Sequence, residues 1–223
     1  MTTTLIFIGS GNVGTTIARL AVEAGHHVVL GNSRGAGARG HGRATGAASV
    51  RGDSTEAATA REIVVVSVPV MSFPHLPAAA LAGRTLIDTC NYGPRARRAH
   101  RRARHRVAHL ERAAAAPPPR HRHRESLQHH LLHPPALARP PGSAPDRSYL
   151  PIAGNSAPAK AAVTELVESI GYCVVDAGSL ADSWRQATGT PVWGTPYGPS
   201  SDEKGQPAGV DAIRAALADA THE

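Results

Sequence analysis

A glycine-rich turn near the start of the chain has the spacing that binds the pyrophosphate of a dinucleotide. Residues 9–14 read GSGNVG, the pattern G-x-G-x-x-G, directly after the apolar run LIFI at 5–8 and before apolar side chains at helical spacing. In that context the first glycine allows the tight turn, the second lets the pyrophosphate approach, and the third packs helix against strand. The alternative is a turn that only joins a strand to a helix. The predicted cofactor-binding residues of this turn are Gly9, Ser10, Gly11, Asn12, Val13 and Gly14.

The residues after the second apolar run indicate which dinucleotide is bound. An NAD site places Asp or Glu about 20 residues beyond the turn, where the carboxylate holds the ribose 2′-hydroxyl. This chain has the sequence GNSR at 31–34 and no acidic residue there. Ser33 and Arg34 can hydrogen-bond a 2′-phosphate and pair with its charge, whereas a carboxylate would repel it. We therefore predict NADP rather than NAD, with an ordinary polar loop and a solvated arginine as the alternative.

Alternating strand and helix patterns predict the elements that hold this turn. Short apolar runs are typical of strands buried on both faces of a parallel sheet. The order strand–helix–strand favours a Rossmann-type α/β fold with a doubly wound, mostly parallel sheet. The predicted strands are LIFI, VVL, IVVVSVP, TLIDT, YLPIAG and YCVVDAG, with helices beginning near Val13, Ser54, Ser156 and Val210, and a Gly/Pro-rich loop before the last helix.

The basic charge of the chain is confined to one segment. The formal net charge is +7, but residues 95–135 hold eleven arginines against two glutamates, together with eight of the thirteen histidines. The other residues carry thirteen Lys and Arg against fifteen Asp and Glu, so they are slightly acidic. The segment lacks aromatic residues for base stacking and regular ligand spacings. We therefore predict neither specific nucleic-acid binding nor a metal site.

The remaining composition predicts a cytoplasmic protein of one domain. The parts are a dinucleotide-binding half (1–94), the aberrant Arg/His/Pro-rich segment (95–135) and a C-terminal part that completes the sheet (136–223). Cys90 and Cys173 are too few for a disulfide framework, which suits a reducing compartment. No signal peptide is expected, and no run of eighteen apolar residues predicts a membrane span.

Six motifs in order resemble the NADP oxidoreductases that depend on coenzyme F-420, an 8-hydroxy-5-deazaflavin. They are GSGNVG, GNSRG, VSVP, IDTCNY, LPIAG and VDAGSLADSWR, and they cover residues 1–94 and about 137–197. The resemblance implies that the Ser-Arg pair holds the 2′-phosphate, that Val68 and Pro69 lie near the nicotinamide, and that the protein is a homodimer. It also implies direct hydride transfer between nicotinamide and deazaflavin. No catalytic side chain is predicted, because the two cofactors carry the reacting atoms.

Between Pro94 and Ala136 the chain departs from this family, in which a buried strand carries the motif V-K-A-F-N-[NT]-I. Read from the second base of each codon, the codons from Arg120 onward can encode D-T-A-T-V-K-A-F-N-T-I, which restores that motif in its expected place. We infer a frame-shifted stretch between two compensating insertions or deletions, in preference to a solvated linker, a nucleic-acid arm or a metal site. A missing or poorly formed strand is expected there. NADP binding would survive, whereas hydride transfer would be weak or absent.

Two other functions stay open on the residues alone. One is an NADPH-dependent reductase of a small imine or keto substrate, although such reductases usually add a long helical domain for which this chain is short. The other is a non-enzymatic NADP-binding protein. In the tail, Trp184, Trp193 and Tyr197 could cover a ring-shaped ligand, but packing is the preferred interpretation.

Overall fold

The described parts of the chain contain one sheet and three α-helices. The computed structural model describes residues 2–31, 62–69, 72–73, 76, 81, 83–90, the backbone of 124–127, 147–187, 189–193, 195–198 and 206–221. The strands are β1 (Thr4–Ile8), β2 (His27–Gly31), β3 (Glu62–Val66), β4 (Thr85–Asp88), β5 (Arg124–Leu127), β6 (Tyr149–Ala153) and β7 (Cys173–Asp176). The helices are α1 (Asn12–Glu23), α2 (Ala157–Ser169) and α3 (Val210–Ala218). None of these helices is long and apolar enough to cross a membrane.

The strand order is that of a doubly wound sheet. It runs β2-β1-β3-β4-β5-β6-β7, with β1 to β5 parallel, β6 antiparallel to β5, and β7 parallel to β6. The chain moves outward from β1 in both directions, so the order reverses at β1. In sheets of this kind a ligand binds outside the carboxyl ends of the strands at such a reversal. The predicted Rossmann-type, mostly parallel fold is confirmed.

The side chains of β1 alternate between the two faces of the sheet, and each face is covered by packed apolar residues. Leu5 and Phe7 are fully buried in the core that also holds the apolar side of α1. Ile6 and Ile8 point the other way and pack against a second cluster that includes Val66. Because both faces of β1 are apolar, the strand packs against residues on either side of the sheet, as strands of parallel α/β sheets do. The large cluster also contains apolar residues of α2 and α3.

The predicted helix after β6 is confirmed with its cap. The Ser156 hydroxyl accepts a hydrogen bond from the Ala159 N–H at 3.2 Å, and Pro158 occupies the first turn, where its missing N–H is harmless. Val163 and Val167 are buried against the sheet. The helix predicted near Ser54 lies outside the described residues, whereas the helices at the glycine turn and at Val210 are present.

The expectation of a missing strand needs correction at one point. Arg124–Leu127, with the sequence RESL, forms β5 and pairs with β4 on one side and β6 on the other. Ladder hydrogen bonds use the backbone, and these four residues include no proline, since the prolines of the segment lie at 117–119 and 134–135. The remainder of the segment 95–135 lies outside the described residues.

The tail between β7 and α3 is more ordered than the loop predicted for it. Its described residues form three short 3-10 helices, at Leu180–Gln186, Pro191–Trp193 and Thr195–Tyr197. The Tyr197 side chain is fully buried, and its hydroxyl donates to the Tyr149 carbonyl at 2.7 Å. These contacts tie the tail to β6. They support packing, rather than ligand cover, as the role of this aromatic residue.

Candidate functional site

The carboxyl ends of neighbouring strands converge on the glycine turn. The Gly9 N–H donates to the Gly31 carbonyl at the end of β2, at 2.9 Å. On the other side, the Ser67 N–H donates to the Ile8 carbonyl at the end of β1, at 2.8 Å. The turn is therefore held between β2 and β3, at the position where the strand order reverses.

Two of the three glycines are required by close packing. Gly9 has φ +106°, and a Cβ there would lie 2.1 Å from the Ser67 carbonyl oxygen and 2.9 Å from Val68 Cγ1. A Cβ on Gly14 would lie 2.7 Å from the Gly9 carbonyl oxygen. These contacts match the roles predicted for the first and third glycines, namely the tight turn and the approach of helix to strand.

The second glycine faces open space at the beginning of α1. A Cβ on Gly11 would meet nothing within 4 Å, and Gly11 is the N-cap of α1 with no side-chain capping hydrogen bond. The first turn contains no acidic residue that could compete for its N–H groups. Unsatisfied N–H groups and the positive end of the helix dipole favour a phosphate at such a position.

The side chains of the turn are divided between surface and core. Ser10, Gly11 and Asn12 are exposed at the open side of the turn. Val13 is buried, with 9% of its surface exposed, and packs in the core. The sequence predicts Val13 as a cofactor-binding residue; because its side chain is buried in the core, a contact with the cofactor through its backbone stays a prediction.

The segment after β3 forms the neighbouring wall of the site. Val68 is partly buried against the glycine turn, and Pro69 is exposed beyond it. Just after β4, the Cys90 thiol donates to the Val68 carbonyl at 2.9 Å, and the Thr89 hydroxyl donates to the Val66 carbonyl at 3.1 Å. Neither Thr89 nor Cys90 is among the site residues that the sequence predicts. A thiol or hydroxyl just after a predicted strand was the available signal.

Ser33 and Arg34, predicted to hold a 2′-phosphate, lie outside the described residues. The described stretch that contains β2 ends at Gly31, whose carbonyl accepts a hydrogen bond from the Gly9 N–H. The two predicted residues therefore follow directly from a strand end that is fixed beside the glycine turn. Their contact with the ribose remains a prediction.

Asp182 and Tyr197 of the tail have shifted pKa values, and each shift has a structural cause. The Ser179 hydroxyl and N–H both donate to the Asp182 carboxylate, and these hydrogen bonds lower the pKa of Asp182. Burial raises the pKa of Tyr197 well above its usual value. The described ranges contain no group of three His, Cys, Asp or Glu side chains that could hold a metal ion.

The described edge of the sheet fits a dinucleotide. It offers an open approach at Gly11, a beginning of α1 without a side-chain cap, and a packed wall at Val68. These features suit the pyrophosphate at the turn and one ring on either side of it. The arrangement positions a ligand and brings no acid–base pair of described side chains to it.

Comparison with known proteins supports this assignment of the fold. Residues 4–92 match the family described as "NADP oxidoreductase coenzyme F420-dependent". No curated protein matches the sequence significantly. Among solved structures, a hypothetical protein from Sinorhizobium meliloti has a TM-score of 0.51 at 20% identity, over 85% of this chain and 91% of that chain. This likeness shows the fold alone.

Two nucleotide-bound structures are more distant. Pyrroline carboxylate reductase from Plasmodium falciparum, with NADP bound, has a TM-score of 0.48 at 13% identity, over 85% of this chain and 63% of that chain. A semialdehyde dehydrogenase NAD-binding protein from Cupriavidus necator, with calcium and NAD, has a TM-score of 0.48 at 14% identity, over 83% of this chain and 66% of that chain. The chain thus spans less than two thirds of either protein.

The family match includes the glycine turn, the end of β2 and the strands β1 to β4. It ends two residues after Cys90 and does not reach LPIAG or VDAGSLADSWR, for which the resemblance stays a prediction. Residues 4–92, fewer than half of the chain, are therefore similar to the NADP oxidoreductases that depend on coenzyme F420.

Proposed function

We propose that the chain binds NADP(H) and serves hydride transfer between NADP and the deazaflavin coenzyme F-420. The observation that carries the proposal is the glycine turn, because its packed first and third glycines flank an open second one at the beginning of α1. The family match over residues 4–92 supports the same cofactor pair.

The residues of this chain would bind and orient the nucleotide. The N–H groups at the beginning of α1 would hold the pyrophosphate, and Ser33 and Arg34 would hold the 2′-phosphate at the end of β2. Val68 and Pro69 would then border the nicotinamide. When bound, the nicotinamide and the deazaflavin supply the hydride donor and acceptor. The protein's contribution is the alignment of the two rings, which for well-oriented reactants contributes about 7–11 kcal/mol.

We further propose that the segment 95–135 impairs this reaction. Its arginines and histidines replace the apolar strand motif that the resemblance places beside the nicotinamide. The nucleotide-binding residues lie outside that segment. Binding of NADPH should therefore be retained while turnover with the deazaflavin is slow. The homodimer and the cytoplasmic location implied by the sequence are proposed with it.

Nucleotide preference tests the binding half of the proposal. Calorimetric titration of the full chain with NADPH and with NADH should give tighter binding of NADPH. Arg34→Ala should remove most of that preference, because a charge-assisted hydrogen bond contributes about 1.5–3 kcal/mol, or about tenfold to a hundredfold in affinity. Arg19→Ala, on the exposed side of α1, is the matched control and should leave the ratio unchanged. Equal affinity for both nucleotides would contradict an NADP site.

Turnover tests the reaction half. Reduction of NADP by reduced coenzyme F-420 should be detectable in absorbance assays above a no-enzyme control. Oxidation of NADPH by an imine or a keto acid, with none by the deazaflavin, would instead identify a reductase of small substrates. Tight NADPH binding with no acceptor turned over would identify a nucleotide-binding protein without activity.

A further inference from the structure

The Cys90 thiol connects the end of β4 to the wall beside the glycine turn. Its Sγ lies 2.9 Å from the Val68 carbonyl oxygen and 3.5 Å from the Val66 carbonyl oxygen. A thiol has one hydrogen to donate, so the shorter contact identifies Val68 as its main acceptor. The Cys90 N–H donates to the Asp88 carboxylate at 2.9 Å, which fixes the backbone from which the thiol projects.

The acceptor of this hydrogen bond is itself part of the site. Val68 Cγ1 would lie 2.9 Å from a Cβ on Gly9, so its side chain packs directly against the glycine turn. Cys90, Val68 and Gly9 therefore form one continuous line of contacts from β4 to β1. A substitution of Cys90 would therefore alter the position of Val68 and, through it, that of the glycine turn.

The strand order indicates which half of a bound dinucleotide would be affected by the contacts that run from Cys90 through Val68 to Gly9. A bound pyrophosphate would lie at the beginning of α1, and the residues predicted to hold the 2′-phosphate follow β2. The adenosine half would then be on the β2 side of β1. The nicotinamide half would lie on the opposite side, over the ends of β3 and β4, near Val68 and Cys90.

We propose that Cys90 is a positioning residue, whose thiol holds the Val68 carbonyl and so sets where the nicotinamide end of NADP(H) lies. This rests on the proposed binding of NADP(H) and adds a residue to that site. Cys90 touches no reacting atom and forms no covalent bond. Its effect is selective for the half of the nucleotide that carries the nicotinamide.

The test compares NADPH with 2′-phospho-ADP-ribose, which has the same adenosine half but no nicotinamide. Cys90→Ala should weaken NADPH binding about fivefold, as expected for loss of one hydrogen bond, and change 2′-phospho-ADP-ribose binding less than twofold. The fluorescence of the bound reduced nicotinamide should also change. Cys90→Ser, which keeps a donor, should restore affinity and emission towards those of the original protein.

Cys173→Ala is the matched control, because Cys173 is also partly buried and lies in β7, away from the turn. It should leave both ligands and the fluorescence unchanged, and thermal unfolding of each variant checks that it folds. Equal weakening of both ligands by Cys90→Ala, or none, would overturn the positioning role while leaving NADP binding intact. Absence of binding by the original protein to either ligand would overturn the proposed function, and the role of Cys90 with it.

Discussion

His26 and Ser169 are hydrogen-bonded across 143 residues of sequence, with 2.7 Å between the imidazole Nε2 and the hydroxyl oxygen. On the other side of the ring, the Thr3 N–H donates to Nδ1 at 3.2 Å, so Nδ1 carries no proton. The Ser169 hydroxyl donates to the Leu166 carbonyl and therefore accepts from Nε2–H. The contacts assign the neutral Nε2–H tautomer to a ring that joins the beginning of β1 to the end of α2.

Acid should weaken this connection. Burial, then the charge of the N-terminus and that of His27, lower the pKa of His26 below its ordinary 6.5. The contribution of His26 to stability is therefore complete above pH 6.5 and is lost as the pH falls through the lowered value. His26→Gln should reduce the free energy of unfolding by about 1 kcal/mol at neutral pH and by less in acid. Urea denaturation across the pH range measures the difference.

His27→Gln is the control for this effect, because the His27 side chain is only partly buried and His26 is retained. Its stability should keep most of the pH dependence of the original protein. Identical pH dependence for the original chain and His26→Gln would contradict the assigned tautomer.

Substitutions at Gly11 and Gly14 should separate binding from folding. A Cβ on Gly14 meets a backbone oxygen at 2.7 Å, which cannot move cheaply, so Gly14→Ala should destabilise by about 1–3 kcal/mol. Gly11→Ala meets open space, and it should change stability by less than about 1 kcal/mol. Its added methyl group would lie where the pyrophosphate is proposed to approach, so NADPH affinity should fall at least about tenfold. Urea denaturation and calorimetric titration of both variants give the comparison.

Replacement of a buried amide in the tail should increase stability. Gln186 is fully buried, and neither its Nε2 nor its Oε1 has a hydrogen-bond partner in the part of the chain that the structure describes. A buried unsatisfied polar group is unfavourable by about 1–3 kcal/mol. Gln186→Met should raise the free energy of unfolding by about that amount, whereas the exposed Gln206→Met should not. Destabilisation by Gln186→Met would indicate that a bound water satisfies the amide.

The sequence predicts the strands and the glycine turn of this site better than the contacts that hold them in place. The glycine pattern and the apolar runs determine the strand ends, because period and turn geometry are local properties of the chain. The hydrogen bond from Cys90 to Val68 and that from His26 to Ser169 join residues distant in sequence. No local pattern contains such pairings. The short 3-10 helices of the tail were missed for a related reason, since their packing against β6 holds them.

Restoring the alternative reading frame is the strongest test of the segment between Pro94 and Ala136. In the sheet, β5 lies between β4 and β6, where a strand is normally apolar on both faces, yet its sequence is RESL. The alternative frame supplies V-K-A-F at those four positions. Burial of one valine and one phenylalanine should contribute about 1.5–3 kcal/mol each. The restored chain should therefore unfold at higher urea concentration and reduce NADP faster with reduced coenzyme F-420.

The control is a chain in which residues 95–135 are replaced by a shuffled version of the restored segment, with the same composition. Sequencing the gene across codons 90 to 140 provides an independent check, since two compensating errors would be visible directly. If the restored chain is no more stable and no more active than the original, RESL is the native strand of this protein. In that case the arginines and histidines around it are part of its evolved sequence. If a frame shift had replaced buried apolar side chains, restoring them would increase the stability of the chain.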